Sequence, residues 1–285
     1  MAIDIIKAIS ANQIKNGTIV VNGRYRTCNN TAINILMNGD YTDLEEEAPN
    51  LVASIASFGK SYNTFTDISE STFSGFNGGT LIIPELQGDS LDADLTSGAK
   101  DAIASFVSNG GILLTFEPSS NDLYLLLNNI FNFSLNTTGT NDPIGLTSEG
   151  STLLPTAPST IIQNNGTDSL DSTTLPPGSI TLYEGDGANE SVVTMMPYGS
   201  GKIYVLGWDW YDGAPIGEQD NGWLQILNLI LSLSICNGPL SYGIVYDRYV
   251  QTYPTITSIQ EKYDNRFDDP SYYYGSTGVD GGDIA

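Results

Sequence analysis

The stretch Asn109-Gly-Gly-Ile-Leu-Leu-Thr-Phe116 decides the fold prediction, because two glycines that end a helix are followed at once by an uninterrupted apolar run. Such a run is typical of a β-strand that is buried on both faces, as in a parallel sheet. The segment before it, residues 95–107, carries apolar side chains at helical spacing. A helix that leads into a doubly buried strand predicts one unit of an α/β fold.

The same alternation of strands and helices extends to both sides of this stretch. Further strands are predicted at residues 32–37, 61–65, 79–84, 180–183, 192–195 and 202–206. Further helices are predicted at residues 44–58, 122–131 and 223–231. Short connections between such elements predict a doubly wound, mainly parallel sheet with helices on both faces, over residues 31–235. Residues 132–178 are rich in Ser, Thr, Asn, Gly and Pro, which predicts loops and short edge strands.

Two extensions flank this α/β domain, an N-terminal one at residues 1–30 and a C-terminal one at residues 236–285. The second ends in an acidic tail rich in Gly and Tyr, residues 264–285, which contains five aspartates and one arginine. So little apolar surface does not offset the ordering cost of roughly 1–2 kcal/mol per residue. We therefore expect the tail to become ordered against a partner subunit. The expected anchors are Tyr272, Tyr273 and Tyr274.

The charge of the chain is strongly one-sided, with 10 basic and 33 acidic residues and a net charge of −23. This charge excludes nucleic acid and anionic membranes as natural partners, and it is compatible either with cation binding or with solubility alone. No apolar run is long enough to predict membrane insertion, and no signal peptide is predicted, so the localisation stays open. Cys28 and Cys236 are too few for a disulfide framework, and both a long-range bridge and two buried thiols remain open.

Several segments together resemble a known family. The opening strand and helix, the apolar strand that ends at Pro84, the "NGGILLTF" stretch, and "GSGKIYVLGWDWYDG" at residues 199–213 before a closing helix follow one order. This order resembles the class I glutamine-amidotransferase-like domains, especially their trehalose-utilisation-type relatives. The resemblance implies a flavodoxin-like sheet over residues 31–235.

The sequence lacks the catalytic residues that this resemblance implies. Catalytic members place a cysteine nucleophile on the turn after the strand that here ends at Phe116, yet residues 117–120 read Glu-Pro-Ser-Ser. The resemblance places their histidine base after the last strand, and this chain contains no histidine. A thiolate–imidazole pair cannot form, so we expect no cysteine-hydrolase activity and interpret the chain as a non-enzyme.

Two groups of residues remain as candidates for a ligand site at the carboxyl ends of the strands. Glu117, Asp209 and Asp212 could act in acid–base hydrolysis or hold a divalent cation such as Ca²⁺, or they could be solvated turn residues. Trp208 and Trp210 alternate along one segment and therefore share a face, which suits either sugar stacking or packing against a helix or subunit. The acidic segments 91–94 and 184–190 also suggest calcium without the ligand spacing of an EF-hand.

Three functions follow from these observations. The first is a non-catalytic structural or assembly protein, a component of a virion or cell surface that binds protein subunits of its own or another type. The second is a carbohydrate-binding or carbohydrate-acting protein with a cleft of carboxylates and tryptophans. The third is an acidic, calcium-dependent adhesin. The missing catalytic pair and a composition low in Lys and rich in Asn, Ser and Thr favour the first.

Overall fold

The computed structural model describes residues 18–21, 24–27, 32–120, 123–163, 166–233 and 240–242. The chain divides into two compact units, of which one comprises residues 1–29 and 238–285 and the other residues 30–237. Cys28, Cys236 and the tyrosines of the tail lie outside the described residues, so their predicted roles stay predictions.

Fourteen strands and seven helices are present in the described residues. The strands are β1 (Thr18–Val21), β2 (Arg24–Thr27), β3 (Ile33–Leu36), β4 (Asn63–Phe65), β5 (Thr80–Ile83), β6 (Ile112–Phe116), β7 (Thr137–Gly139), β8 (Ile144–Leu146), β9 (Thr160–Ile161), β10 (Asp168–Asp171), β11 (Ile180–Glu184), β12 (Glu190–Tyr198), β13 (Gly201–Leu206) and β14 (Leu240–Tyr242). The helices are α1 (Glu47–Ser57), α2 (Glu70–Ser74), α3 (Leu91–Asp94), α4 (Ser97–Ser108), α5 (Leu123–Phe131), α6 (Ser148–Leu153) and α7 (Trp223–Leu233). None of these helices is both long enough and apolar enough to cross a membrane.

The unit formed by the two ends of the chain contains an antiparallel sheet. Its three described strands follow the order β1-β2-β14, so that a strand from the C-terminal flank pairs with the N-terminal hairpin. The sequence had predicted these flanks as two extensions at opposite ends of the chain.

The unit of residues 30–237 is built on a mixed, largely parallel sheet in the order β4-β3-β5-β6-β13-β12-β11-β8-β9. The first five of these strands run parallel to one another. From β12 onwards the neighbours are antiparallel. The predicted strands at 32–37, 79–84, 112–116 and 202–206 are therefore confirmed, and they all lie in the parallel half.

The core consists of two apolar clusters that take alternate residues of the same strands. In β6, Ile112, Leu114 and Phe116 belong to one cluster and Leu113 to the other. The first cluster contains the apolar residues of α1 and α7, and the second contains those of α4 and α5. Burial of successive residues in different clusters explains why the parallel strands are apolar throughout.

Two sequence-based expectations differ from the structure. Residues 132–178, predicted as loops and short edge strands, contain β7, β8, β9 and β10 together with α6, and all four strands join the main sheet. Leu44, predicted on the buried face of α1, is 44% exposed and precedes the helix. The carboxylate of Asp43 accepts the backbone N–H of Glu46 at 3.1 Å, which holds the chain in a turn until the helix begins.

Candidate functional site

The carboxyl ends of three neighbouring parallel strands are aligned and bring three acidic side chains to one edge. In the paired register Ile83 lies opposite Thr115, and Phe116 lies opposite Leu206. Glu85, Glu117 and Asp209 lie one to three residues after the ends of these strands, and all three are buried. This edge is the usual ligand-binding place of parallel α/β sheets.

Glu117 stands on a strained turn immediately after β6. Its φ angle is 42°, a left-handed conformation that a residue with a side chain rarely adopts. The backbone N–H of Glu117 donates to the carbonyl of Leu206 at 2.8 Å, and the carbonyl of Glu117 accepts the N–H of Ser120. These bonds hold the turn, so the side chain points into the protein and is only 6% exposed.

The carboxyl of Glu117 lies against a second acidic group, Asp168 of β10. The hydroxyl of Ser119 joins the two carboxyls, because Ser119 Oγ lies 2.9 Å from Glu117 Oε1 and also contacts Asp168 Oδ2. Burial, together with the bond to Asp168, raises the pKa of Glu117 to about 8. β10 approaches this closely because Gly207 lacks a side chain, since a Cβ there would lie 2.0 Å from the Asp168 carbonyl oxygen.

Glu85 and Asp209 form a second pair of carboxyl groups. Glu85 Oε1 accepts from Ser120 Oγ at 2.9 Å and from Gln87 Nε2 at 3.0 Å. Burial, and after it the charge of Asp209, raises the pKa of Glu85 to about 7. Burial also raises the pKa of Asp209, although its carboxylate accepts the backbone N–H of Tyr211.

Glu47, at the start of α1, extends the group. Its Oε1 accepts from Gln87 Nε2 at 2.8 Å, so the amide of Gln87 bridges Glu47 and Glu85. Burial, and then the hydrogen bond to Asp43, raises the pKa of Glu47 to about 8. We refer to these six residues as the carboxyl cluster: Asp43, Glu47, Glu85, Glu117, Asp168 and Asp209.

Among the described residues of the α/β domain, no basic side chain lowers the pKa of the carboxyls whose pKa is raised. The charges that act on Glu47, Glu85, Glu117 and Asp209 are all acidic. Residues 32–233 contain three basic residues, Lys60, Lys100 and Lys202. Lys60 binds Ser232 at 3.1 Å and Lys100 pairs with Asp92 at 2.7 Å, while Lys202 pairs in register with the first residue of β6, far along the strand from Glu117.

The described part of the chain contains no three acidic, cysteine or histidine side chains arranged to hold a metal ion. The two segments that suggested calcium have other structures. Residues 91–94 form α3, and in segment 184–190 the carboxylate of Glu190 accepts the backbone N–H of Asn141 at 2.8 Å.

The two tryptophans share a face and are buried, which favours packing over sugar stacking among the two alternatives that the sequence left open. Trp208 is 0% exposed and Trp210 is 1% exposed. Their rings lie 4.3 Å apart, Trp208 stacks on Trp223 of α7 at 5.6 Å, and Trp210 meets Phe116 edge-on at 5.1 Å. The indole N–H of Trp210 donates to Ser54 Oγ of α1 at 3.0 Å. A helix on either side therefore covers the faces that a sugar would need.

The structure thus brings together two of the three predicted carboxylates. Glu117 and Asp209 both belong to the carboxyl cluster, whereas Asp212 is exposed and accepts from Gln219 Nε2 at 3.3 Å. The sequence analysis missed Glu85, although its place just after an apolar strand was as clear a signal as that of Glu117. Glu47 was not singled out, and Asp168 carried no signal in a segment predicted as loops and short edge strands.

Neither a protein-family model nor a curated protein matches the sequence. Solved structures match at low identity. A cytoplasmic protein from Salmonella typhimurium LT2 has a TM-score of 0.50 at 13% identity, over 71% of this chain and 98% of that one. The mmIFT52 N-terminal domain has a TM-score of 0.50 at 13% identity, over 70% and 97%. A protein described as ThuA-like, from Bacteroides uniformis ATCC 8492, has a TM-score of 0.47 at 12% identity, over 70% and 88%.

Identities this low concern the fold alone. The fold is that of class I glutamine-amidotransferase-like domains, so the resemblance stated from the sequence is confirmed at the level of the fold.

Proposed function

We propose that this chain is a non-catalytic protein that uses its amidotransferase-like domain as a scaffold for assembly with subunits of its own or another type. The observation that carries the proposal is the buried Glu117 on the turn after β6, the place that the family resemblance assigns to a cysteine nucleophile. Asp209 lies on the loop after β13, which is the loop where the resemblance expects the histidine base. Two buried carboxyls cannot replace a thiolate and an imidazole in acyl transfer.

The scaffold we propose is a flavodoxin-like, doubly wound sheet over residues 31–235. The order β4-β3-β5-β6-β13 of the parallel half supports this, because it corresponds to the order 2-1-3-4-5 of that class. Both core clusters contain helix residues, as expected for a sheet that helices cover on both faces, and this supports the proposal as well. The composition, low in Lys and rich in Asn, Ser and Thr, supports a place in a virion or cell-surface assembly.

The experiment replaces the three tyrosines of the tail with serine in the full chain, as Tyr272→Ser, Tyr273→Ser and Tyr274→Ser together. We expect the native mass, measured by light scattering, to fall towards that of the monomer while the melting temperature changes little, because large rigid side chains dominate interfaces. The control is Tyr211→Ser, which removes a tyrosine that is 40% exposed on the α/β domain. A monomeric wild-type chain with glutaminase activity would contradict the proposal.

The alternative is a carbohydrate-acting protein in which Glu117 and Asp209 serve as acid and base. The convergence of these carboxyls with Glu85 supports it, and the burial of Trp208 and Trp210 counts against it. Hydrolysis of aryl glycosides that is lost in Glu117→Gln, and retained when the exposed Glu184 is changed to Gln, would favour this alternative over the scaffold.

A further inference from the structure

The carboxyl cluster contains an imbalance of hydrogen-bonding groups. The Oε2 atoms of Glu47, Glu85 and Glu117 are buried and receive no hydrogen bond from any N–H or O–H group. A buried ionised oxygen without a donor costs a large free energy, so such atoms require a physical explanation.

A second acidic side chain raises the pKa of each of these three glutamates, and the contacts show how closely the carboxyls meet: Ser119 Oγ contacts both Glu117 and Asp168, and the amide of Gln87 bridges Glu47 and Glu85. The acidic partner is Asp43 for Glu47, Asp209 for Glu85 and Asp168 for Glu117. Two ionised carboxylates in contact can only repel each other, because both are acceptors. One proton in each pair turns the repulsion into an O–H···O⁻ hydrogen bond, which is among the strong ones.

We propose that the three pairs of the carboxyl cluster are held together by shared protons, and that the cluster is a pH-sensitive device which stabilises the strand-end edge in acid and destabilises it as the pH rises through neutrality. The pairs connect the start of α1, the loop after β5, the turn after β6, β10 and the loop after β13. Loss of the protons therefore acts on five segments of the domain at once.

The groups that face each pair reinforce this behaviour. Glu85 is faced by Asp209 and also acts on Glu47 and Glu117. Asp209 is faced in addition by Asp212 and Glu46. All of these groups are acidic, so each ionisation makes the next one harder.

The direction of the effect follows from proton linkage. An ordinary glutamate has a pKa of 4.5, whereas burial and pairing raise the pKa of Glu117 and Glu47 to about 8 and that of Glu85 to about 7. Between these values the three glutamates bind more protons in the folded chain than in the unfolded chain, so their contribution to stability is fully present below pH 4.5 and is lost by about pH 8. For each proton that the folded chain holds and the unfolded chain has lost, the equilibrium constant for unfolding increases about tenfold with every unit that the pH rises in this window.

The absence of histidine from the sequence makes this effect unusually easy to measure. Histidine is the side chain that ordinarily titrates between pH 5 and 8. In this chain, protons released in that range on unfolding come from shifted carboxyls, and any contribution of Cys28, Cys236 and the chain terminus is the same in every variant below.

The experiment compares the full-length wild type with Glu117→Gln and with Glu184→Gln, an exposed control. Melting temperature is measured from pH 5 to 9, and proton release on urea unfolding is measured at pH 7 in weak buffer. We expect the wild type and the control to lose melting temperature above pH 6 and to release protons. Glu117→Gln, whose amide can donate to Asp168 without a titrating proton, should show a shallower slope and release about one proton fewer.

Three results would overturn the proposal. The first is a wild-type melting temperature that does not change between pH 5 and 9, and the second is a wild type that releases no protons on unfolding at pH 7. Both use the unaltered chain and do not depend on the folding of a variant. The third is recovery of the acid-pH stability at pH 8 on addition of CaCl₂, which would mean that the cluster is a cation site.

Discussion

Two groups of buried side chains alternate along the same segments at the carboxyl edge of the sheet. Phe116 precedes Glu117, and Asp209 lies between Trp208 and Trp210, so that the aromatic rings pack towards α1 and α7 while the carboxyls meet one another. The aromatic group contains no titratable side chain, and its indole N–H of Trp210 is satisfied by Ser54. In the carboxyl cluster the Oε2 atoms of Glu47, Glu85 and Glu117 have no donor, and the shared protons that we propose act there. One edge of a fold can thus combine a part that is stable at any pH with a part that is not.

The largest expected effect tests the aromatic group. Trp208→Ala should lower the free energy of unfolding by about 3–5 kcal/mol, because a fully buried indole leaves a cavity between Trp210 and Trp223. Urea unfolding at pH 5.5 and at pH 8.5 should give the same loss.

The matched control is Tyr211→Ala, an exposed aromatic three residues further along, which should cost less than about 1 kcal/mol. A loss for Trp208→Ala that doubles at pH 8.5 would break the comparison, since it would make the aromatic packing depend on the carboxyls. Unchanged stability would restore the sugar-stacking interpretation.

How much of this edge could be predicted from the sequence depends on how local the signal is. The strands β5 and β6 are apolar on both faces, and the alternation of Trp208 and Trp210 is a property of extended chain, so both features were predictable. Glu117 was predictable because it follows β6 directly.

The covering of the tryptophans was not predictable, because it depends on Trp223 and on Ser54, which is 156 residues from Trp210 in sequence. Asp168 lies in β10, whose sequence Asp-Ser-Leu-Asp has one apolar residue. Its place in the sheet depends on pairing with β7 and β12, about 20 to 30 residues away. Long-range pairing of this kind leaves no periodic signal in the sequence.

A smaller effect tests the hydrogen bond that the indole of Trp210 makes with Ser54. Ser54→Ala leaves the buried indole N–H of Trp210 without an acceptor, which should cost about 1–3 kcal/mol at either pH. Ser57→Ala on the same helix is the control, because its exposed hydroxyl donates only to the Ser54 carbonyl in the described structure. Equal losses in the two variants, measured by urea unfolding, would mean that the indole bond contributes nothing.

The smallest effect tests the carboxyl cluster through Gln87, a neighbouring residue that is not part of the cluster. Gln87 donates one N–H to Glu47 and one to Glu85, and this bond favours the ionised form of Glu85 and so acts to lower its pKa. Gln87→Ala therefore raises the pKa of Glu85 further, the folded chain keeps its proton to higher pH, and the alkaline loss of stability becomes larger. The expected cost is about 0.5–1.5 kcal/mol at pH 8.5 and less at pH 5.5, where Glu85 is already protonated.

Gln219→Ala is the matched control, because its amide donates to Asp212, which is exposed and outside the carboxyl cluster. If urea unfolding shows the same pH dependence for both glutamine variants, the amide of Gln87 does not act on the shared protons, and the contrast between the two groups at this edge is weaker than the contacts imply.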